Sequence, residues 1–565
     1  METKKIAGFD VEFLPSRRRF ENLWVDFEPN KRVVLPKGWR REGRLPLRES
    51  IIWTRDVPVK MRDGITLYVD VLRPANRENE KLPTLIPWSP YGKSGTGFFQ
   101  TKDYLYVGVP MSHTSGLEKF EGPDPADWCA RGYVMVQPDA RGTFNSEGDV
   151  YHYGSQEAQD GYDTIEWAAQ QSWSNGNIGL VGNSHLGTMQ WFIAAERPPH
   201  LKAIAPWEGV GDFYRQSLCR GGIPNTAFWR ALSGSMQGNN LREDFATMIE
   251  KHPHYNQYWA DKTPKIKNIE IPMLRIHPTQ EWHDLYQPES NDDLQRFMDH
   301  YLAGKDNGWE FTPKVRVSLL RFNRPAIAHR VEDNYPPSRT TYRTLYLDSK
   351  AGSLVPEVPM QDATVSYASD DWEDDGAHFT YKFDKYTELV GPSKATLYMS
   401  TKASDDMDVF VIIRKLDMEG RPLISLNIPL KNQPHGTREE DIDDMNLYKH
   451  NGPSGRLRAS KRALDQDPDL SEAQRRSQTP TELWYPYTKE EKVPPGQVVE
   501  LQIAIWPSGI AFEAGESLRF EVKGHDHPLH EFVGIHKQLT TLNTGEHTIH
   551  TGGSHASHVL LPFLT

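Results

Sequence analysis

The chain has 565 residues, of which 37% are hydrophobic and 25% are charged, and its formal net charge is −12. A single hydrophobic core rarely exceeds about 250–300 residues, so this length predicts two or three domains. The acidic balance argues against nucleic-acid and anionic-membrane partners, because both require a basic face. The sequence shows neither an apolar run of membrane-spanning length nor the apolar core of a signal peptide, and Cys129 and Cys219 are interpreted as free thiols. We therefore expect a soluble, cytoplasmic protein.

The first part of the chain changes from irregular to β-rich after about 50 residues. Residues 1–50 are rich in Arg, Pro and Trp and lack a clear period, so we expect an N-terminal extension that lies over the surface. The turn Arg62-Asp63-Gly64 stands between two β-rich runs and predicts a hairpin. Runs that predict strands lie at 51–53, 57–61, 65–72, 82–88 and 132–137.

The next stretch alternates between helix and strand patterns. A helical face of apolar residues follows Ser155 and acidic residues that suit a helix N-terminus. A predicted strand, helix and strand then lie at 177–182, 188–196 and 201–206. Such alternation predicts a mainly parallel, doubly wound α/β sheet. We place this α/β domain at 51–335, with a small helical cap at about 213–262, where we find no strand pattern.

Beyond about residue 340 the pattern is all-β. Short β runs alternate with Gly, Pro, Asp and Asn turns, which is typical of an antiparallel sandwich or jelly roll. We therefore predict a β-sandwich domain at 340–565, interrupted by a long charged loop at 431–495. The clearest runs are Arg343–Leu347, Ala395–Ser400, Val409–Arg414, Val498–Ile505 and Ser517–Val522.

The sharpest local motif surrounds Ser184, in the segment Gly179–Gly187. A strand must turn abruptly into a helix at this serine, and small neighbours allow the strained bend that exposes its hydroxyl. In the commonest form of this elbow a glycine lies two residues after the serine; here Leu186 takes that place and Gly187 follows. The strand before and the helix after favour a nucleophile over an inert turn serine.

Several motifs in one order resemble the cocaine-esterase-like (CocE/NonD) branch of the X-Pro dipeptidyl-peptidase superfamily. Besides the elbow they are Pro90–Lys93, Arg141–Gly148, Arg197–Ile204, Phe297–Leu302, Asp405–Val409, Gly455–Ser460 and Asn543–Gly553. The resemblance covers everything after the N-terminal extension. It implies an α/β-hydrolase fold with a helical cap, a C-terminal jelly roll, a Ser-His-Asp triad, and esterase, amidase or dipeptidyl-peptidase activity.

The resemblance also assigns roles to individual residues. Ser184 matches the nucleophile, the backbone N–H of His185 matches one oxyanion donor, and the Tyr91 hydroxyl matches the other. Two converging donors in a dry site stabilise the oxyanion of a tetrahedral intermediate. We expect the His185 side chain to pack beside the elbow while its amide acts, and a turn tyrosine packed on the surface is the alternative for Tyr91. Arg141 and Asp139 are expected to brace the site.

The remainder of the triad is where the chain departs from the family. One strand is visible at 271–277, whereas the family has two strands separated by a helix before the histidine. We predict His277, at the end of this strand, as the base and Asp284 as the acid. His283 and Glu281 are the alternatives, and an ordinary polar loop role stays open for each candidate.

These observations predict a serine hydrolase acting on a small-molecule ester or amide through an acyl-enzyme. The same site would serve an acyltransferase, and a non-catalytic binding protein on a shortened hydrolase scaffold is the second alternative. We predict no cofactor, since no phosphate-binding loop or dinucleotide fingerprint occurs, and no metal, since the C-terminal histidines lack partners at ligand spacing. The oligomeric state stays open. Candidate pocket residues are Trp191, Trp207, Phe213, Tyr214 and Phe228.

Overall fold

The structure is a computed structural model that divides the chain into two compact units. The first unit comprises Met1–Ser217 and Ala227–Phe311, and the second comprises Leu218–Thr226 and Thr312–Thr565. The domain boundaries drawn from the sequence remain a prediction. The residues that the structure describes are 1–17, 26–94, 109, 111–274, 284–433, 436–446, 448–472, 475, 479–526, 529, 539 and 541–565.

The first unit contains a mixed sheet flanked by helices. The strands of this unit are β1 (Glu2–Ile6), β2 (Phe9–Pro15), β3 (Arg32–Leu35), β4 (Ile51–Lys60), β5 (Thr66–Pro74), β6 (Leu82–Ile86), β7 (Val134–Pro138), β8 (Ser174–Asn183), β9 (Leu201–Trp207) and β10 (Leu241–Glu243). Its α-helices are α1 (Pro125–Ala130), α2 (Ser155–Ala169), α3 (His185–Ala195), α4 (Thr226–Gly234, beginning at the last residue of the second unit's short segment), α5 (Phe245–Lys251), α6 (Gln257–Asp261) and α7 (Pro288–Ala303). Single helical turns lie at Ala75–Arg77, Met111–His113, Tyr214–Leu218, Ile266–Asn268 and Trp309–Phe311.

The central sheet has the strand order β3-β4-β5-β7-β6-β8-β9. The predicted hairpin is confirmed, because β4 and β5 pair antiparallel around the turn after Lys60. Strand β7 pairs antiparallel with β5, while β6, β7, β8 and β9 run parallel to one another. The sheet is therefore parallel only in its second half. Parallel strands bring their carboxyl ends to one edge, and Ser184 follows β8 at that edge.

The first 50 residues differ from the expected surface extension. Strands β1 and β2 form an antiparallel hairpin whose Val11 and Phe13 are fully buried, and β10 extends this sheet along β2. Strand β3 is the edge of the central sheet. The cap region thus contains a strand that we did not predict. β10 is only three residues long, and its strand conformation depends on pairing with a segment more than 200 residues away.

Beyond β9 the sheet continues through one isolated pairing. Met273 lies parallel to Ile204, whose N–H donates to the Pro272 carbonyl at 3.1 Å and whose carbonyl accepts from the Leu274 N–H at 3.0 Å. Residues 275–283 lie outside the described residues, and they include the end of the strand predicted at 271–277. Helix α7 follows, and it buries Leu294 and Phe297 in a core cluster shared with residues of the sheet.

The second unit is all-β, as predicted. Its strands are β11 (Val315–Leu319), β12 (Ile327–Glu332), β13 (Thr340–Asp348), β14 (Ser353–Val355), β15 (Ala363–Ala368), β16 (Ala377–Lys382), β17 (Thr387–Thr401), β18 (Asp408–Leu416), β19 (Ser425–Leu426), β20 (Lys449–His450), β21 (Ser454–Arg458), β22 (Val499–Phe512), β23 (Ser517–Lys523), β24 (Glu546–Thr551) and β25 (His558–Leu564). Most join one 11-stranded sheet, and nearly all of its pairs are antiparallel. The expected loop at 431–495 contains β21, which pairs with β18. Within the described residues of the chain, no helix has the length and apolarity needed to cross a bilayer.

Candidate active site

Ser184 occupies a strained turn between β8 and α3. Its φ is 56° and its ψ is −114°, a region that residues with a side chain rarely adopt. The surrounding hydrogen bonds hold this conformation: the Ser184 N–H donates to the Trp207 carbonyl at 3.0 Å, and the Ser184 carbonyl accepts from the Thr188 N–H at 2.8 Å. The serine is only partly buried, whereas its neighbours on both sides are buried. The turn therefore presents the hydroxyl at the first turn of a helix, where the helix dipole favours negative charge.

Two glycines explain how the chain forms this turn. Gly182 has a φ of +124°, and a side chain there would overlap Leu186. At Gly187 an added Cβ would lie 2.2 Å from the Trp207 carbonyl oxygen, so only glycine lets α3 approach the end of β9. The second glycine of the elbow therefore lies three residues after the serine, one position later than in the commonest form. Leu186 occupies the position two residues after the serine, and its side chain is fully buried.

The His185 side chain is buried beside the elbow and pairs with a carboxylate. Its Nε2 lies 2.9 Å from Oε1 of Glu157, in the first turn of α2. Burial by itself would raise the pKa of Glu157, but the charge and hydrogen bond of His185, together with hydrogen bonds from the Tyr153 N–H and Trp88, hold that pKa below its usual value. We interpreted the acidic residues of this segment only as favourable to a helix N-terminus, because a sequence pattern does not show which of them turns inward.

Tyr91 lies in the segment that follows β6, whose described residues 87–94 are buried. Its ring packs edge-on against Phe120, with a centroid distance of 5.4 Å, and against the His185 ring at 5.7 Å. The residue is only 2% exposed, so the alternative of a tyrosine packed on the surface does not describe it. The loop that carries one proposed oxyanion donor is thus in direct contact with the residue that carries the other.

Two buried lysines hold the Tyr91 loop. Lys93 is paired with Asp56 and lies 3.2 Å from Asp139, and these carboxylates raise its pKa against the opposing effect of burial. Lys119 donates to the Ser89 carbonyl at 2.9 Å and to the carbonyl of the last residue of β7. Burial lowers the pKa of Lys119 to about 7 and raises that of Asp139 to about 6. Two buried lysines and their partners therefore join the ends of β6 and β7 to the segment that carries Tyr91.

Arg141 also has two carboxylate partners, of which Asp160 is buried and Asp63 is exposed. Its guanidinium contacts Asp160 through two hydrogen bonds, of 2.7 and 2.6 Å, and lies 2.7 Å from an Asp63 oxygen. Gly142, Phe144 and Gly148 in the same segment have positive φ, which a tight loop requires. This arrangement fits the bracing role that we expected for Arg141.

An aromatic cluster lies beside His185. The Tyr153 ring is 4.3 Å from the His185 ring and 4.5 Å from Phe213, and Phe213 is 4.6 Å from Trp229 and 5.1 Å from Phe245. Of the predicted pocket residues, Phe213 belongs to this cluster and Phe228 contacts it through Trp229. Tyr214 instead packs on the cap residue Trp259 and donates to the Pro253 carbonyl. Trp191 and Trp207 are buried at α3 and at the end of β9.

The predicted base lies outside the described residues, as do the alternatives His283 and Glu281. The predicted acid Asp284 is described and partly buried, and its carbonyl accepts from the Gln287 N–H at 3.2 Å. Its segment is anchored near the elbow, because the Tyr286 hydroxyl donates to the Gly122 carbonyl at 2.9 Å. The backbone carbonyl of Glu121, the residue before Gly122, accepts from the Asn183 N–H at 3.0 Å. The assignments of His277 and Asp284 stay predictions.

Two family models match the chain: X-Pro dipeptidyl-peptidase (S15 family) over residues 63–244, and X-Pro dipeptidyl-peptidase C-terminal non-catalytic domain over 307–560. Among solved structures, a CocE/NonD family hydrolase from Staphylococcus aureus is 30% identical, with a TM-score of 0.80 over 91% of this chain and 94% of that chain. The chain belongs to the CocE/NonD family of hydrolases. Its fold is accordingly the α/β-hydrolase fold joined to a C-terminal all-β domain, as predicted.

Two further similar proteins differ in how much of the chain they match. The cocaine esterase of Rhodococcus sp. is 36% identical over 160 residues, which are 28% of this chain and 24% of the esterase. The matched segment therefore covers about a quarter of the length of that curated relative. An α-amino acid ester hydrolase of solved structure is 16% identical, with a TM-score of 0.60 over 91% of this chain and 96% of that chain, and supports the fold alone.

Proposed function

We propose that this chain is a serine hydrolase that cleaves a small ester or amide through an acyl-enzyme, with Ser184 as the nucleophile. The observation that carries the proposal is the backbone of Ser184. A residue with a side chain is held at a φ of 56° between a parallel strand and a helix, by glycines that no other residue could replace without overlap. Strain of this kind persists only where the surrounding structure enforces it, and it clusters at active sites.

In the proposed mechanism, Ser184 Oγ attacks the substrate carbonyl and passes its proton to an imidazole, for which His277 is the candidate. The oxyanion that forms is stabilised by the His185 N–H and the Tyr91 hydroxyl, each worth about 3 kcal/mol in a dry site. The imidazolium then protonates the leaving group, and the acyl-enzyme remains. Water, activated by the same imidazole, releases the acid and restores the serine.

The surroundings support the binding of an apolar group. Tyr153, Phe213, Trp229 and Phe245 form a contiguous aromatic cluster that begins at His185, and all four side chains are buried. Ligand sites are predominantly apolar with a few directed polar groups, and an aromatic cluster beside two proposed N–H and O–H donors has this character. An ester or amide with an apolar acyl or leaving group is the substrate class that suits such surroundings.

Covalent labelling tests this proposal. A fluorophosphonate probe should modify the wild-type protein on the peptide that contains Ser184, and Ser184→Ala should abolish both labelling and hydrolysis of a p-nitrophenyl ester while the thermal unfolding curve is unchanged. The matched control is Ser172→Ala, at an exposed serine of the same unit, which should label like the wild type. Undiminished turnover by Ser184→Ala would exclude this serine as the nucleophile. An unlabelled, inactive wild-type protein would instead favour a binding scaffold.

A further inference from the structure

Glu157 connects three separate segments around the elbow through one buried carboxylate. His185 Nε2 lies 2.9 Å from Oε1, and the Trp88 indole N–H donates to the same oxygen at 3.0 Å. The Tyr153 N–H donates to Oε2 at 3.0 Å. The Glu157 side chain is buried, so bulk water does not compete for these hydrogen bonds.

Two of these contacts lead directly to the two proposed oxyanion donors. The backbone N–H of His185 is one donor, and Glu157 holds the side chain of that same residue. Trp88 lies three residues before Tyr91, in the buried segment that places the Tyr91 hydroxyl. The rings of Tyr91 and His185 also meet edge to face, with a centroid distance of 5.7 Å. One carboxylate oxygen therefore contacts both the elbow and the segment that carries Tyr91.

We propose that Glu157 is a positioning residue that aligns the oxyanion hole by holding His185 and Trp88 on one oxygen; this inference rests on the proposed function. A carboxylate suits this task because it is purely an acceptor and hydrogen bonds to a charged group are shorter and stronger than neutral ones. Because the carboxylate only accepts, the hydrogen of its bond to His185 is carried by Nε2. His185 Nδ1 has no hydrogen-bond partner within the described part of the chain, so Glu157 is the group that orients the ring there.

Glu157→Gln tests the proposal, because glutamine keeps the size of the side chain and removes its charge. We expect kcat to fall by about 10–100-fold with KM changed less than about threefold, since misalignment acts on the transition state more than on substrate binding. The matched control is Glu166→Gln. Glu166 lies on the same helix α2 and makes a Glu–His pair with His200 at 2.7 Å, but that pair has no link to the elbow. Its kcat should equal that of the wild type.

A double-mutant cycle with Tyr91→Phe separates alignment from a general structural role. If Glu157 acts through the oxyanion hole, Glu157→Gln should lower kcat by a smaller factor once the Tyr91 hydroxyl is absent, because only the His185 donor is then left to align. Multiplicative losses would overturn the proposal.

Trp88→Phe provides a second route if Glu157→Gln folds poorly, because it removes only the indole donor. We expect a several-fold loss of kcat, and wild-type kcat in this variant would also overturn the proposal. Labelling of the wild-type Ser184 by a fluorophosphonate distinguishes a failure of this inference from a failure of the proposed function. A labelled wild type with an unaffected Glu157→Gln variant refutes the positioning role alone, whereas an unlabelled, inactive wild type refutes the proposed function and this inference with it.

Discussion

Gly187→Ala perturbs the elbow without touching a proposed catalytic atom. The added Cβ would lie 2.2 Å from the Trp207 carbonyl oxygen and 3.2 Å from the Gly209 nitrogen. Both are backbone atoms, so α3 must move away from β9 by about 1 Å to restore van der Waals contact. The same carbonyl accepts the Ser184 N–H at 3.0 Å, and the movement stretches this hydrogen bond. The nucleophile is therefore displaced together with the helix.

The expected loss follows from these two effects. Overpacking costs about 1–3 kcal/mol and a weakened buried hydrogen bond about 1 kcal/mol, which outweighs the helix-propensity gain of about 1 kcal/mol for alanine over glycine. We therefore expect the free energy of unfolding to fall by about 1–3 kcal/mol. A nucleophile misplaced by about 1 Å loses up to about 100-fold in kcat.

Urea unfolding, p-nitrophenyl ester turnover and the fluorophosphonate labelling rate measure both effects. The matched control is Gly234→Ala at the end of α4, where the nearest atom to an added Cβ is an Arg242 nitrogen at 3.9 Å. That variant should be neutral or more stable by up to about 1 kcal/mol, with unchanged turnover. If Gly187→Ala keeps wild-type stability and labelling rate, the close approach of α3 to β9 does not control the elbow.

Three further predictions concern groups around the site. Tyr91→Phe should lower kcat about 100-fold with little change in KM, and a change in KM alone would show that the hydroxyl only lines the pocket. Lys119 has a pKa of about 7 in the folded chain, below the unfolded value of about 10.4, so its unfolded state holds more protons between these pH values and the free energy of unfolding rises with pH. In urea titrations, the wild type should therefore gain stability relative to Lys119→Met from pH 7 to pH 10; a constant difference would mean that Lys119 is charged in the fold. His277→Ala should remove most of the esterase activity and His283→Ala much less, and the opposite order would make His283 the base.

The local pattern around Ser184 was predictable because it depends on neighbours in sequence. A strand, small residues and a helix follow one another within about 20 residues, and the structure confirms β8 and α3 on either side of the serine. The hairpin of β4 and β5 was predictable for the same reason, since its turn residues and alternating runs are adjacent. The role of Ser184 remains a prediction that labelling must test.

The N-terminal strands and β10 were not predictable from their own residues. β10 has three residues and β3 has four, too few for a period to be recognised, and each becomes a strand by pairing with a partner elsewhere in the chain. Long-range pairing depends on burial and on the partner's free edge, neither of which a local pattern contains. The same limit applies to Lys93 and Lys119, which composition alone would place at the surface.

Residues adjacent in the chain therefore determined the elbow, the hairpin and the two classes of domain, since helix and strand periods and turn chemistry act over a few positions. The tertiary structure decided which polar side chains turn inward and meet. Glu157 and His185 are 28 positions apart and Trp88 is 69 positions from Glu157, yet one carboxylate oxygen contacts both. Burying a charge is unfavourable unless donors converge on it, and that convergence exists only after the strands and helices have packed.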